Sequence, residues 1–158
     1  MNRRIVISIL ICLSGCATER ANFVAEPTPP PGEALVYVYR PSATAMEGLT
    51  AVVELDATMV AVLHDNGYAV VHVREGEHRV SQYWRSTAVT DRNRNQRNRT
   101  DLQIHAVAGQ QYYFRVLASG VVGPQAEVQF SQSSWVFEQV STRTADSEIA
   151  KCKRESSK

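Results

Sequence analysis

The chain has 158 residues, 44% of them hydrophobic and 21% charged, with a formal net charge of +1. That length supports one compact domain with its own core, and not two. The balanced charge excludes a polybasic nucleic-acid binder and a disordered acidic tail.

The chain opens on Arg3 and Arg4, then an apolar run from Ile5 to Leu13, then Ser14-Gly15-Cys16. A basic start, a short apolar stretch and small residues at the end are the layout of an export signal. The run is shorter than the roughly 20 apolar residues that span a bilayer. Leu13-Ser14-Gly15-Cys16 resembles the lipobox of bacterial lipoproteins. The resemblance implies that residues 1–15 are a cleaved signal peptide. It also implies that the Cys16 thiol takes a diacylglycerol as a thioether and that its new amine is acylated. Two or three chains, at about 0.8 kcal/mol per buried methylene, make a durable anchor. No other cofactor and no metal is expected. Without Arg3 and Arg4 the count is 15 basic to 16 acidic residues, so no nucleic-acid partner is expected. Ala17, where retention in the inner membrane favours Asp, implies the periplasm-facing outer membrane, with the inner membrane or the cell surface as alternatives.

Of the three cysteines, Cys12 leaves with the leader and Cys16 carries lipid. Cys152 then has no partner in its own chain, and is expected as a free thiol or as half of an intermolecular disulfide. Residues 16–33 read as the lipidated cysteine and a linker. Pro27, Pro29, Pro30 and Pro31 favour extended polyproline backbone. At about 3.1 Å per residue, residues 17–33 would hold the domain roughly 50 Å from the lipid.

Residues 34–141 carry strand signals. Leu35-Val-Tyr-Val-Tyr39 is β-branched and aromatic, and Arg40-Pro41 ends it. Val52–Leu55 and Val60–Leu63 flank Asp56-Ala57-Thr58, a tight hairpin. Asp65-Asn66-Gly67 is a turn, since Asn and Gly accept positive φ. Tyr68–Val73 follows, then the turn Glu75-Gly76-Glu77, and His78–Val89 reads as one long or bent strand. Leu102, Ile104 and Ala106 alternate with Gln103 and His105. Ala108-Gly109-Gln110 leads into Gln111–Leu117, a further turn falls at Gly120 and Gly123-Pro124, and Val128, Phe130 and Trp135–Val140 supply the last strands. The expected fold is all-β, a small antiparallel sandwich or partly closed barrel. Residues 142–158 form a polar tail or a short helix, predicted over 144–154 with acids early and bases late, in keeping with the helix dipole.

Tyr37-Val-Tyr-Arg-Pro41, Asn66-Gly67-Tyr68, Glu75-Gly76-Glu77-His78 and Ala108-Gly109-Gln-Gln-Tyr-Tyr113 occur in that order. They resemble an uncharacterised group of bacterial envelope lipoproteins, the domain of unknown function 2846, over roughly residues 34–140. The resemblance implies a β-sandwich-like fold and brings no catalytic or binding residues with it.

The most unusual stretch is Asp91–Asp101, where Arg92, Arg94, Arg97 and Arg99 are separated largely by amides. Guanidinium forks bind carboxylate or phosphate in bidentate fashion. An envelope protein, a lipid headgroup or a cell-wall polymer is therefore an expected partner. A solvated hairpin tip is the plain alternative. Tyr83 and Trp84 are adjacent, so they face opposite sides of a regular strand. At most one of them belongs to the core, and the other is a candidate contact surface. His64, His72, His78 and His105 sit on different elements and show no ligand spacing. No serine lies in a Gly-x-Ser-x-Gly elbow, and no glycine loop is built to cradle phosphate. The expectation is a non-enzymatic, lipid-anchored envelope domain that contacts another envelope component through its β-domain and Arg-rich loop. The alternative is a carbohydrate- or peptidoglycan-binding module that uses exposed aromatics.

Overall fold

A computed structural model describes Phe23 and residues 25–42, 49–86, 99–118 and 135–157. The expectations for residues 1–15, Cys16, Arg92, Arg94, Arg97, the turn at Gly120 and Gly123-Pro124, and the strand at Val128 and Phe130 lie outside the described residues.

The chain forms β1 Glu33–Arg40, β2 Leu49–Leu55, β3 Thr58–Leu63, β4 Gly67–Arg74, β5 Gly76–Ser86, β6 Thr100–Ala106, β7 Gln111–Ala118 and β8 Trp135–Val140. A helix α1, Thr142–Ile149, and a two-residue strand β9, Lys153–Arg154, follow. Two separate sheets result, in the orders β8-β7-β1-β4-β9 and β3-β2-β5-β6, so the architecture is a sandwich and not a barrel.

The turns form where residue chemistry permits them. Asp56 and Ala57 take φ of 49° and 66°, the two positive values that a tight hairpin with the strands' right-handed twist requires. Asn66 reaches 59° before β4, and Gly109 reaches 80° before β7. Glu75 alone joins β4 to β5, and so carries the chain from one sheet to the other.

Pairing departs from the all-antiparallel expectation in two places. β1 runs parallel to β7, and β4 runs parallel to β9. The cause of the first is the route of the chain. β6 ends at the same pole of the sandwich where β1 begins, and residues 107–110 return the chain there, so β7 starts beside the start of β1. The poles therefore differ. The tight turns at 56–57, 75 and 107–110 share one pole, here the lower. At the upper pole β1, β3, β5 and β7 end and β2, β4, β6 and β8 begin.

The main core lies between the sheets, with Val36 and Val38 of β1, Val53 of β2, Val80 and Trp84 of β5, Ile104 of β6, Phe114 of β7 and Phe137 of β8. A second cluster covers the opposite face of the five-stranded sheet: Leu35, Tyr37, Tyr39, Tyr68, Val70 and Tyr113 pack under Ala145, Ile149 and Cys152. β1 is thus buried on both faces, which its uninterrupted apolar run Leu35–Tyr39 requires.

α1 is shorter than the predicted 144–154 and starts earlier. Ser141 caps it by accepting from the Thr144 N–H. It stops at Ile149 because the next residues serve the sheet: Lys153 N–H donates to Asn66 O at 2.8 Å and Glu155 N–H to Tyr68 O at 2.7 Å. Lys151, Lys153 and Arg154, expected as the basic end of a helix, lie beyond it.

Candidate functional site

The outer face of the five-stranded sheet carries a strap built from the N-terminal segment. Phe23 stands edge-on to Tyr37 and Tyr68, with ring centroids 5.9 and 5.4 Å away. Tyr37 in turn stacks on Tyr113 at 4.8 Å. Edge-to-face and offset stacks of this kind are the favoured aromatic geometries. The Glu26 N–H donates to the Tyr37 hydroxyl at 3.0 Å, and Pro29 is buried. The Glu26 carboxylate meets Arg154 of β9 and lies 3.1 Å from His72 Nε2, whose Nδ1 lies 3.0 Å from Glu33. Residues 25–33, expected as part of a free spacer, are therefore laid along the domain from near the upper pole to the lower.

Burial pushes the Tyr37, Tyr68 and Tyr113 phenols above their ordinary value, Tyr113 to about 12. They remain neutral and contribute packing, with one hydrogen bond each at the Tyr37 and Tyr113 hydroxyls. The helix is fixed to the same face by Glu148, which accepts from Tyr39 Oη at 2.7 Å and from Arg115 at 2.7 Å.

At the upper pole Arg40 spans the two sheets. Its guanidinium donates to Leu49 O at 2.6 Å, approaches Asp65 at 3.7 Å and lies 4.9 Å from the centroid of the Trp84 ring. Trp84 is 3% exposed and packs against Trp135 at 5.5 Å. Of the adjacent pair, Trp84 is therefore the core member, which removes it as a contact residue. Tyr83 points the other way and is half-buried beside Glu54. Its phenol is raised by burial first and by that carboxylate second.

Arg99 is the one member of the arginine run within the described residues. Its Nη1 donates to Glu54 at 2.7 Å and its Nε to Asp101 at 2.8 Å. An incoming anion would have to displace two carboxylates, so Arg99 clamps the base of the run. The structure brings Tyr83 and Arg99 together through Glu54 on the outer face of the four-stranded sheet, and leaves Trp84 on the opposite face.

Each histidine meets a carboxylate: His64 with Glu155, His72 with Glu26 and Glu33, His78 with Asp56, and His105 with Glu77. Among the described residues no group of three His, Cys, Asp or Glu is arranged to hold a metal ion. His78 faces acceptors on both nitrogens, Asp56 Oδ2 at 2.7 Å and Arg74 O at 2.8 Å. Only the imidazolium satisfies both, and its pKa is raised, first by Asp56. Cys152 is buried, and desolvation pushes its thiol up to about 12. An intermolecular disulfide would require α1 and β9 to leave the sheet.

Sequence reasoning passed over Phe23, Glu26 and Arg40. Phe23 is the only aromatic residue before Tyr37, an isolated apolar ring in a polar, proline-rich stretch, and that was an available signal. Arg40 gave none, because an arginine before a proline reads as a strand end.

The family described as Protein of unknown function (DUF2846) matches residues 30–131, and the chain belongs to it. No curated protein and no solved structure matches the chain. The matched stretch holds β1 to β7 and stops short of β8, α1 and β9.

Proposed function

We propose that this member of the family is a non-enzymatic lipoprotein of the bacterial cell envelope. In this reading Cys16 anchors it by lipid at the periplasmic face of the outer membrane. Its β-domain and Arg-rich run contact another envelope component. The observation that carries this reading is the docked strap. Seven chain steps lead from Cys16 to Phe23, at most about 25 Å when fully extended. A domain so tethered works close to its membrane, at half the reach expected of a free linker.

The topology supports a role for the arginine run in the same reading. Of its flanking residues, Ser86 stands at the upper pole, toward which the strap leads from Gly32 to Phe23 beside Tyr68, while Arg99 lies lower on the four-stranded sheet, level with Tyr83 and paired with Glu54. Arg99, paired with Glu54 and Asp101, fixes the C-terminal end of the run. The reading that uses exposed aromatics has less to draw on. Tyr37, Tyr39, Tyr68, Trp84 and Tyr113 are all buried, which leaves it the half-buried Tyr83, Tyr112 and Trp135.

Two measurements test the proposal. Cys16→Ala should shift the protein out of the membrane fraction, and its retention there would refute the lipid anchor. A photo-crosslinker at Gln96 in the lipidated protein should yield a discrete adduct in intact envelopes. Foreign peptides that survive muramidase identify a protein partner, and a ladder that collapses identifies the cell-wall polymer. Absence of any adduct refutes the contact through the arginine run.

A further inference from the structure

The chain has three lysines, Lys151, Lys153 and Lys158, and all fall in its last eight residues. The fold carries two of them to a defined place. Asn66 Nδ2 donates to Lys151 O at 2.8 Å, and Lys153 N–H donates to Asn66 O at 2.8 Å, so both are pinned to the start of β4 at the upper pole. Arg154 lies opposite Tyr68 in the β4–β9 pair, and Tyr68 is the residue against which Phe23 packs. With strands spaced about 4.8 Å apart, Phe23 and β9 lie within roughly 10 Å of each other. The basic corner therefore stands beside Phe23, the described residue of the strap nearest Cys16 in sequence.

The charge at this corner is directed outward. Lys151 and Lys153 are exposed, and no carboxylate among the described residues lies within ion-pair distance of either. The neighbouring acids are turned to other partners: Asp65 to Arg40 and Ser42, Glu148 to Arg115 and Tyr39, and Glu155 to His64. Arg154 is half-exposed and shares its charge with Glu26. A lysine ammonium on a flexible stem suits a fluid array of phosphates better than a fixed partner.

We propose that the corner formed by Lys151, Lys153 and Arg154 rests on anionic phospholipid headgroups of the membrane that holds Cys16. This orients the domain with its upper pole toward the lipid and its lower pole about 25 Å farther out, the length of an eight-residue strand. The inference rests on the lipid-anchor reading and adds an orientation to it. The tether alone sets a maximum distance; the lysines set which face turns inward.

The test uses the full chain, processed and lipidated in a bacterial host, reconstituted into phosphatidylcholine vesicles with or without phosphatidylglycerol. Flotation reports the anchor. Lysine acylation mapped by mass spectrometry reports the orientation. Acylation is expected to slow about fivefold at each of Lys151 and Lys153 on the anionic vesicles, and to recover in high salt. Protein that floats with equal lysine reactivity on both vesicles overturns this inference and leaves the anchor standing. Protein that fails to float overturns the anchor and the orientation together. A second measurement places a dye at Ser156→Cys, just after β9, or at Glu75→Cys, at the lower pole, with brominated lipid as quencher. Stronger quenching at position 156 is expected; equal or reversed quenching overturns the orientation.

Discussion

Phe23→Ala is the sharpest probe of the strap. The ring is half-buried and edge-on to both Tyr37 and Tyr68. Losing about half of a phenylalanine's burial, together with one aromatic pair's extra attraction, amounts to about 2 kcal/mol. The strap is otherwise joined to the domain through the Glu26 N–H to Tyr37, the Glu26 carboxylate to Arg154 and His72, the buried Pro29 and, at its far end, Gly32 O to the Glu75 N–H. The loss should therefore appear as local opening and leave global unfolding nearly unchanged. At 1.4 kcal/mol per decade, the exchange rate of the Glu26 amide should rise about thirtyfold. Amides of β1 that pair with β4 should keep their protection. Exchange measured by NMR at Glu26 and at Val36 separates the two cases. A rise of less than threefold at Glu26 would refute the view that Phe23 holds the strap, and with it the short-tether argument. Equal acceleration at Val36 would show that the strap opens only when the whole domain unfolds.

Three further outcomes follow from the same geometry. Arg40→Ala removes a charge-assisted hydrogen bond to Leu49 O and a contact with the Trp84 face, and should lower stability by about 3 kcal/mol in urea unfolding; a loss under 1 kcal/mol would mean that the bridge is dispensable. The His78–Asp56 pair predicts a pH dependence with a definite sign. The His78 pKa is raised, chiefly by Asp56, so its contribution is complete below the unfolded value near 6.5 and fades as pH rises through the folded one. The Asp56 pKa is lowered, first by the Arg79 N–H and then by His78, so its contribution holds above its unfolded value and fades as pH falls through the folded one. Stability should therefore decline as pH rises above the unfolded histidine value of about 6.5, and His78→Gln should flatten that slope; an unchanged slope in the variant would refute the assignment. In a chain beginning at Ala17, Cys152 is the single thiol. Buried and with its pKa pushed up to about 12, it should react with an aromatic disulfide only as fast as the domain opens, and fast reaction at neutral pH would refute its burial.

The strands were legible because their chemistry is local. Alternation marked β6, and the runs of β-branched and aromatic residues marked β1 and β7. Residues that accept positive φ marked the turns at Asp56, Asn66 and Gly109. What stayed hidden depends on partners distant in sequence. Alternation put Tyr83 and Trp84 on opposite faces, but only the register with β2 and the presence of Arg40 and Trp135 decided that Trp84 goes inside. The arginine run looked uniform in sequence, and nothing local announced that Arg99 would meet Glu54, 45 residues earlier. β9 is Lys153-Arg154, a pair without β-branched or aromatic residues, and forms because the open edge of β4 offers Asn66 O and Tyr68 O to the returning tail.

The helix and tail matter more to this fold than their composition suggests. Leu35, Tyr37, Tyr39 and Tyr113 form an apolar outer face on the five-stranded sheet, and the sheet cannot leave such a surface in water without association. Ala145, Ile149 and Cys152 cover it, and Glu148 binds both Tyr39 and Arg115 beneath. These residues lie beyond the stretch that matches the family, so in this chain the folded unit extends past the matched residues. A chain ending at Ser141 should therefore lose more than about 4 kcal/mol, from burial of Ile149 and from the two charge-assisted bonds of Glu148. That is a large part of the 5–15 kcal/mol that typically stabilises a domain. Urea unfolding gives the loss directly, and binding of an apolar dye at zero denaturant reports the uncovered face. An unchanged midpoint with no dye binding would mean that the inter-sheet core suffices, and that α1 and β9 are held by the sheet without supporting it.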